Sequence, residues 1–295
     1  MPTIAVTGAT GNLGGLVMDH LLTSGVAAGD VIPLVRSDAK GRRFAARGMA
    51  PRVATYDDPE GFARAIEGVD KLVLISPPSP DNAVRLQQLH GAVMAVHASN
   101  LTQLAYVGLA DPEERPFCLE DVDLAIEHSI LAAGIPFTFL RNSVYLDELG
   151  PELAAAAASG ELLSATGNHP MNWAPRADMA AAIAGAVTQE GHLGATYNLV
   201  SPEPYTYDDI AALLSQATGR PVTHRAAPGP DVVQSLTTWG MDPDHAQAMV
   251  EDFQAAIATG KCHTTGGDIE RLSGRSGRPT ADYLVSLAQS AQSSR

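Results

Sequence analysis

Near its N-terminus the chain runs Ile4-Ala5-Val6, then Thr7-Gly8-Ala9-Thr10-Gly11-Asn12-Leu13-Gly14-Gly15, then Leu16-Val17. A short apolar run, three glycines spaced G-x-x-G-x-x-G and the start of a helical pattern read as the first strand-turn-helix unit of a dinucleotide-binding fold. Glycines at 8, 11 and 14 let the chain turn sharply, let backbone approach a pyrophosphate with no Cβ in the way, and let the helix close on the strand. The helix N-terminus then offers unpaired N–H groups and the positive end of its dipole to the anion. Gly8, Thr10, Gly11, Asn12, Leu13 and Gly14 are therefore the candidates for holding the phosphates.

Beyond this unit, apolar runs keep alternating with helical stretches. Strands are expected at Thr3–Thr7, Val31–Val35, Arg52–Thr55, Lys71–Ile75, Gln103–Val107 and Phe137–Leu140. Most of them are apolar throughout, as strands covered on both faces are. Helices are expected at Gly14–Ser24, Asp38–Arg47, Pro59–Glu67, Asn82–Ser99 and Glu120–Ala133, each with apolar residues three and four apart. The pattern predicts an α/β fold, a Rossmann-type doubly wound parallel sheet. After Leu140 the alternation decays into a smaller α+β substrate lobe, so residues 1–145 read as the dinucleotide-binding part and 146–295 as an interleaved lobe. Thr206-Tyr-Asp-Asp209 reads as a capping box opening a helix that ends at Gly219, and a further helix is expected over Asp242–Thr259.

The chain has 295 residues with Lys+Arg 19 and Asp+Glu 33, a formal charge of −14. Phosphate neutralisation needs a basic face, so the composition argues against nucleic acid as a partner. With 45% hydrophobic and 18% charged residues, the chain has the apolar surface for a packed core. Cys118 and Cys262 lie far apart, outside metal-ligand spacing, and are expected to be reduced thiols. The histidines show no ligand spacing, and no metal site is expected. No basic segment followed by an apolar run and no spanning stretch is read, which predicts no membrane association and a cytoplasmic protein.

Thr7-Gly-Ala-Thr-Gly-Asn-Leu-Gly14 resembles the fingerprint of atypical, extended short-chain dehydrogenase/reductases, in particular the NmrA-like branch that includes quinone and triphenylmethane reductases. Further matching landmarks span nearly the whole chain: Leu34-Val-Arg36, Tyr56-Asp57, Leu74-Ile-Ser76, Phe139-Leu-Arg-Asn142 with Tyr145, Arg176-x-Asp178, and Gly274-Arg-x-x-Gly-Arg-Pro279.

Arg36 closes the second strand, about 22 residues beyond Gly14, where such folds place the residue that reads the adenosine ribose. An acid there binds the 2′-hydroxyl of NAD, whereas an arginine forms a charge-assisted fork with a 2′-phosphate, so NADP(H) is the preferred cofactor and NAD(H) the weaker one. The resemblance puts Asp57 at the adenine edge, although by position it could equally cap the helix starting near Pro59. Ser76 and Pro77, ending the fourth strand, are expected beneath the inner ribose and phosphates.

The usual catalytic set of this superfamily, Tyr-x-x-x-Lys with a Ser, is missing. Gly108 stands where the Ser or Thr belongs, and the helix Asp121-Val-Asp-Leu-Ala-Ile-Glu127-His128 has neither Tyr nor Lys. In the quinone-reductase branch a lysine follows the helix Glu; here that position holds His128, a candidate donor to a ribose hydroxyl or a partly exposed helix residue. Asn142 and Tyr145 are the polar groups expected to orient nicotinamide or substrate, with Tyr145 alternatively a core aromatic. Met171, Trp173, Pro77, Pro78 and Trp239 are candidates for an apolar acceptor pocket, or for core. Asp178 reads as a helix cap or dipole partner. These features predict an NADPH-dependent oxidoreductase passing hydride to a quinone-like or conjugated acceptor, which needs proximity and an apolar stacking surface more than a dedicated proton donor. A dinucleotide-binding redox sensor and a biosynthetic reductase, dehydratase or isomerase are the alternatives, and a homodimer is left open.

Overall fold

The computed structural model describes residues 2–77, 79, 81–110, 120–277 and 279–293. Its main sheet is built from β1 (Ile4–Val6), β2 (Val31–Val35), β3 (Arg52–Val53), β4 (Lys71–Ile75), β5 (Gln103–Leu109) and β6 (Phe137–Asn142), joined by β8 (Ala195–Leu199). A second, two-stranded sheet pairs β7 (Glu161–Ser164) with β9 (Thr223–Ala226). The order in the large sheet is β3-β2-β1-β4-β5-β6-β8, with every neighbouring pair parallel.

All six expected strands form. β3 is shorter than expected because, at the sheet edge, it pairs only with Leu34 and Val35 before the chain turns away. β5 and β6 run further than expected, staying in register as far as Leu109 opposite Asn142. The seventh strand was not anticipated. β8 reads Ala-Thr-Tyr-Asn-Leu and is only partly buried at its edge position, so it lacks the all-apolar signature of the others.

Helices α1 (Asn12–Thr23), α2 (Asp38–Ala45), α3 (Pro59–Ala65), α4 (Asn82–His97) and α5 (Glu120–Ala132) connect the first six strands. Local chemistry starts them: Asp58 caps α3 by accepting from Gly61 N at 2.9 Å, with Pro59 in its first turn, and Asp81 caps α4. The second half supplies α6 (Gly150–Ser159), α7 (Arg176–Thr188), α8 (Tyr207–Thr218), α9 (Gly229–Thr238), α10 (Pro243–Ala248), α11 (Ala255–Ala258), α12 (Asp268–Ser273) and α13 (Thr280–Ser293). The capping box at Thr206 and Asp209 is present, and Gly219 closes α8 with φ 66°. The helix expected over Asp242–Thr259 is instead α10 and α11 joined by a π-helical turn, Met249–Gln254. Asp178 lies in the first turn of α7, whose N-cap is Pro175, so it complements the helix dipole and is not the cap.

Both faces of the sheet are covered. On one, α3, α4 and α5 bury Phe62, Leu89, Val93, Ile126 and Ile130. On the other, α7 packs between α1 and α12, and Val17, Met18, Ile183, Tyr197 and Leu272 share one core. Residues from beyond 145 thus complete the first half's core. The remaining elements enclose a third core around Trp173, Tyr207, Leu214, Phe253 and Ile257.

Candidate cofactor and acceptor site

The strand order reverses between β1 and β4, the point at which open parallel sheets bind ligands. A cavity of about 530 Å³ lies there, walled by the segments that leave β1, β2, β3 and β4 and by Tyr145 and Arg176. Its volume is in the range of small-molecule and cofactor sites. Thr7 ties the two diverging strands together, its hydroxyl accepting from Ile75 N at 2.7 Å. Gly8 has φ 61°, and a Cβ on Gly14 would stand 2.4 Å from the Gly8 carbonyl oxygen, so the turn closes onto α1 only with glycine at 14. The N-cap of α1 is Gly11, with no side chain over the first turn, which leaves backbone donors facing the cavity.

The cavity wall brings together Gly8, Thr10, Gly11, Asn12, Leu13, Gly14, Arg36, Asp57, Ser76 and Pro77, all of the residues expected at the cofactor. Arg36 is exposed at its mouth. The alternative reading of Asp57 as a helix cap is resolved, because Asp58 does the capping while Asp57 accepts from Gln88 Nε2 at 2.7 Å on the cavity wall. A turn with bare N–H groups, an arginine where a 2′-phosphate is read and an elongated wall fit a phosphorylated dinucleotide.

The absent catalytic Ser has a structural explanation. A Cβ on Gly108 would lie 3.2 Å from Asp123 Cγ and 3.3 Å from Tyr106 Cε1. Asp123 is fully buried, accepting from Tyr106 Oη at 2.6 Å, Arg85 Nη2 at 2.8 Å and Leu109 N at 3.1 Å. Arg85 Nε in turn donates to Ser76 Oγ at 2.9 Å, so the network ends on the wall of the main cavity. Burial pushes the Asp123 carboxyl up, opposed chiefly by the Arg85 charge, and burial beside Asp123 pushes the Tyr106 phenol up as well.

His128 is not brought to this site. On α5 the inward face belongs to Asp123 and Glu127, four residues apart, with Glu127 held by Arg141 at 2.6 and 2.9 Å. His128, one residue on, is exposed and lines none of the cavities described. Asn142 and Tyr145 are brought together. The Asn142 amide is buried with no hydrogen-bond partner of good geometry among the described residues, and it lies beside the Tyr145 phenol, which burial pushes up. Asn142 also lines a small cavity of about 30 Å³ with Leu109, Ala110, Met171 and Cys262. Trp173 does not reach an acceptor pocket. It packs edge-on against Tyr207 and Phe253 in the third core. Trp239 is partly exposed at a separate small cavity beside Glu152. Pro78 and Cys118 lie outside the described residues.

Arg176 was missed. The Arg176-x-Asp178 landmark drew attention to its acid, yet the arginine lines the cavity with its guanidinium 4.2 Å over the Tyr145 ring. Nothing local in the sequence marks that pairing. Among the described residues no group of three or more metal-capable side chains forms.

The model of the NmrA-like family matches residues 1–276. The chain belongs to the NmrA-like family. The NmrA-like chain is 32% identical over 285 residues to quinone oxidoreductase 2 of Escherichia coli, covering 97% of each. It is 27% identical to the NAD(P)H azoreductase of Xenophilus azovorans, covering 97% of this chain and 98% of that one. Among solved structures, Citrobacter sp. triphenylmethane reductase complexed with NADP(H) superposes with a TM-score of 0.90 at 37% identity, covering 97% of this chain and 99% of that one.

Proposed function

We propose that this NmrA-like chain is an NADPH-dependent oxidoreductase that passes hydride to a quinone-like, azo or triphenylmethane-like conjugated acceptor. One observation carries the reading: the glycine turn, Arg36 and Tyr145 are set around one cleft, with buried Asn142 beside the Tyr145 phenol and no Ser-Tyr-Lys set to protonate a simple carbonyl. The names of the similar proteins, a quinone oxidoreductase, an azoreductase and a triphenylmethane reductase, support the same acceptor class. The bound dinucleotide supplies the hydride. The N-terminus of α1 and Arg36 hold its phosphates, and Asp57 and Gln88 border its adenosine end. Asn142 and Tyr145 orient nicotinamide or acceptor, Tyr145 as a neutral phenol, and solvent supplies protons to acceptors whose reduction is driven by their own conjugation.

Residues 146–295 serve as the substrate lobe in this reading. Among the described residues no helix is long and apolar enough to cross a membrane, and the reading places the protein in the cytoplasm.

The test is NADPH oxidation with a panel of quinones and dyes, beside equilibrium binding. Arg36→Ala should weaken NADPH binding by roughly 10- to 100-fold, the scale of charge-assisted hydrogen bonds, and leave NADH nearly unchanged. Equal losses for the two cofactors would refute the role of Arg36. Dinucleotide binding without turnover of any acceptor would turn the reading to a redox sensor.

A further inference from the structure

We propose that Arg176 is the cation that binds the dinucleotide's diphosphate, and that Glu148 is the carboxylate the diphosphate displaces. The proposal rests on the cleft being a dinucleotide site. The turn from Gly8 to Gly14 contains no Lys or Arg, and a helix N-terminus contributes only about half a charge. The ionisable groups on the cavity wall are Arg36, Tyr56, Asp57, Tyr145 and Arg176, of which the two arginines are the cations. Arg36 stands at the ribose end, which leaves Arg176 as the cation for the diphosphate.

Its placement agrees. Arg176 lines both the main cavity and an open groove outside the same turn, and the two share Thr10, Gly11 and Asn12. Arg176 therefore borders both spaces, which meet at the N-terminus of α1. It is held ready, stacked on Tyr145 at 4.2 Å, ion-paired with Glu148, and 3.9 Å from Asp147.

The two carboxylates differ in how they can give way. Asp147 is committed elsewhere, accepting from Arg176 N at 2.8 Å and from Tyr283 Oη at 2.7 Å. The Glu148 side chain is 45% exposed, and the Arg176 guanidinium is the only hydrogen-bond partner of its carboxylate among the described residues, so it can turn to water when a diphosphate arrives. A guanidinium 11% exposed exchanges one anion for another at far lower cost than it would lose its only one. Its planar fork matches two phosphate oxygens while its face stays on the Tyr145 ring. The second half of the chain thereby sets both the diphosphate and the phenol next to the reacting end.

Titration of the full chain with NADPH, NADH and 2′-AMP, followed by fluorescence or calorimetry, tests this. Arg176→Ala should weaken NADPH and NADH by the same factor, roughly 10- to 100-fold, and leave 2′-AMP, which has no diphosphate, unchanged. Arg176→Lys should fall between Ala and wild type, and Glu148→Gln should tighten both dinucleotides. Arg36→Ala gives the contrasting pattern, losing NADPH and 2′-AMP but not NADH. Unchanged dinucleotide binding in Arg176→Ala overturns the proposal. So does a loss for 2′-AMP as large as that for NADPH, which would mark a general structural effect, or a uniform dinucleotide loss arising instead from Arg43→Ala in the outer groove. A wild-type chain that binds 2′-AMP but neither dinucleotide, or none of the three, removes the dinucleotide reading itself.

Discussion

Gly108 shows how one small residue can exclude one chemistry and permit another. Its hydrogen faces Asp123, which holds Tyr106, Arg85 and the Leu109 amide in a buried network. Gly108→Ser would restore the hydroxyl expected in the wider superfamily, but its Cβ would press on Asp123 and Tyr106, both fully buried and hydrogen-bonded to each other at 2.6 Å. The variant should lose about 1–3 kcal/mol of stability, the usual cost of overpacking, and gain no carbonyl reductase activity. Urea unfolding checks the first part, and a Gly108→Ser protein as stable as wild type would contradict it. The glycine turn and the place of Arg36 on the cavity wall could be read from sequence because both follow from spacing within the first two strand-helix units. The Arg85–Asp123 pair could not, because its partners are 38 residues apart and meet only through the fold.

At the scale of elements, the π-helical turn between α10 and α11 carries Gln254 into the third core. There its Oε1 accepts from Ala165 N at 2.7 Å and its Nε2 faces Glu152 Oε1 at 3.3 Å, with Tyr207 Oη 3.4 Å from the other carboxyl oxygen. A periodic apolar pattern over Asp242–Thr259 identifies a helix but not the extra residue in one turn, whose side chain finds its partners Ala165 and Glu152 roughly 90 and 100 residues away in sequence. Burial pushes Glu152 up to about 8, from 4.5. The folded chain thus keeps a proton that the unfolded chain releases, and the associated stability is fully present below the unfolded value and lost as pH rises through the folded one. Between those values stability should fall with a slope approaching about 1.4 kcal/mol per pH unit for this single proton. Glu152→Gln should flatten that part of the profile, as read from urea midpoints across about pH 5 to 9. A wild-type profile of the same slope as the variant's would show that Glu152 is not the group responsible. β8 was missed for a comparable reason: an edge strand buried on one side loses the apolar run that exposed its neighbours to detection.

Across the whole molecule the chain crosses its sheet twice, and neither half is complete without the other. The net charge of −14 opposes an anionic ligand at long range, so attraction has to come from groups set close to it: Arg36 from the first half and, in the proposal above, Arg176 from the second. The same crossing governs folding. After Tyr145 the chain still has to supply β8, the hydrogen-bonded neighbour of β6, and α7, which covers α1. It also supplies carbonyl acceptors for the first half: Val187 O for Lys71 Nζ at 2.7 Å, Ala186 O for Gln103 Nε2 at 3.0 Å, and His192 O for Thr138 Oγ1 at 2.8 Å. A fragment of residues 1–145 would therefore expose Val17, Met18 and Leu21 along α1 and leave the edge of β6 unpaired. It should show helical circular dichroism without a cooperative urea transition, bind a hydrophobic dye, and bind NADPH far more weakly than the full chain. A cooperatively unfolding 1–145 fragment with full NADPH affinity would instead establish the first half as a self-sufficient cofactor domain and confine the second half to the acceptor.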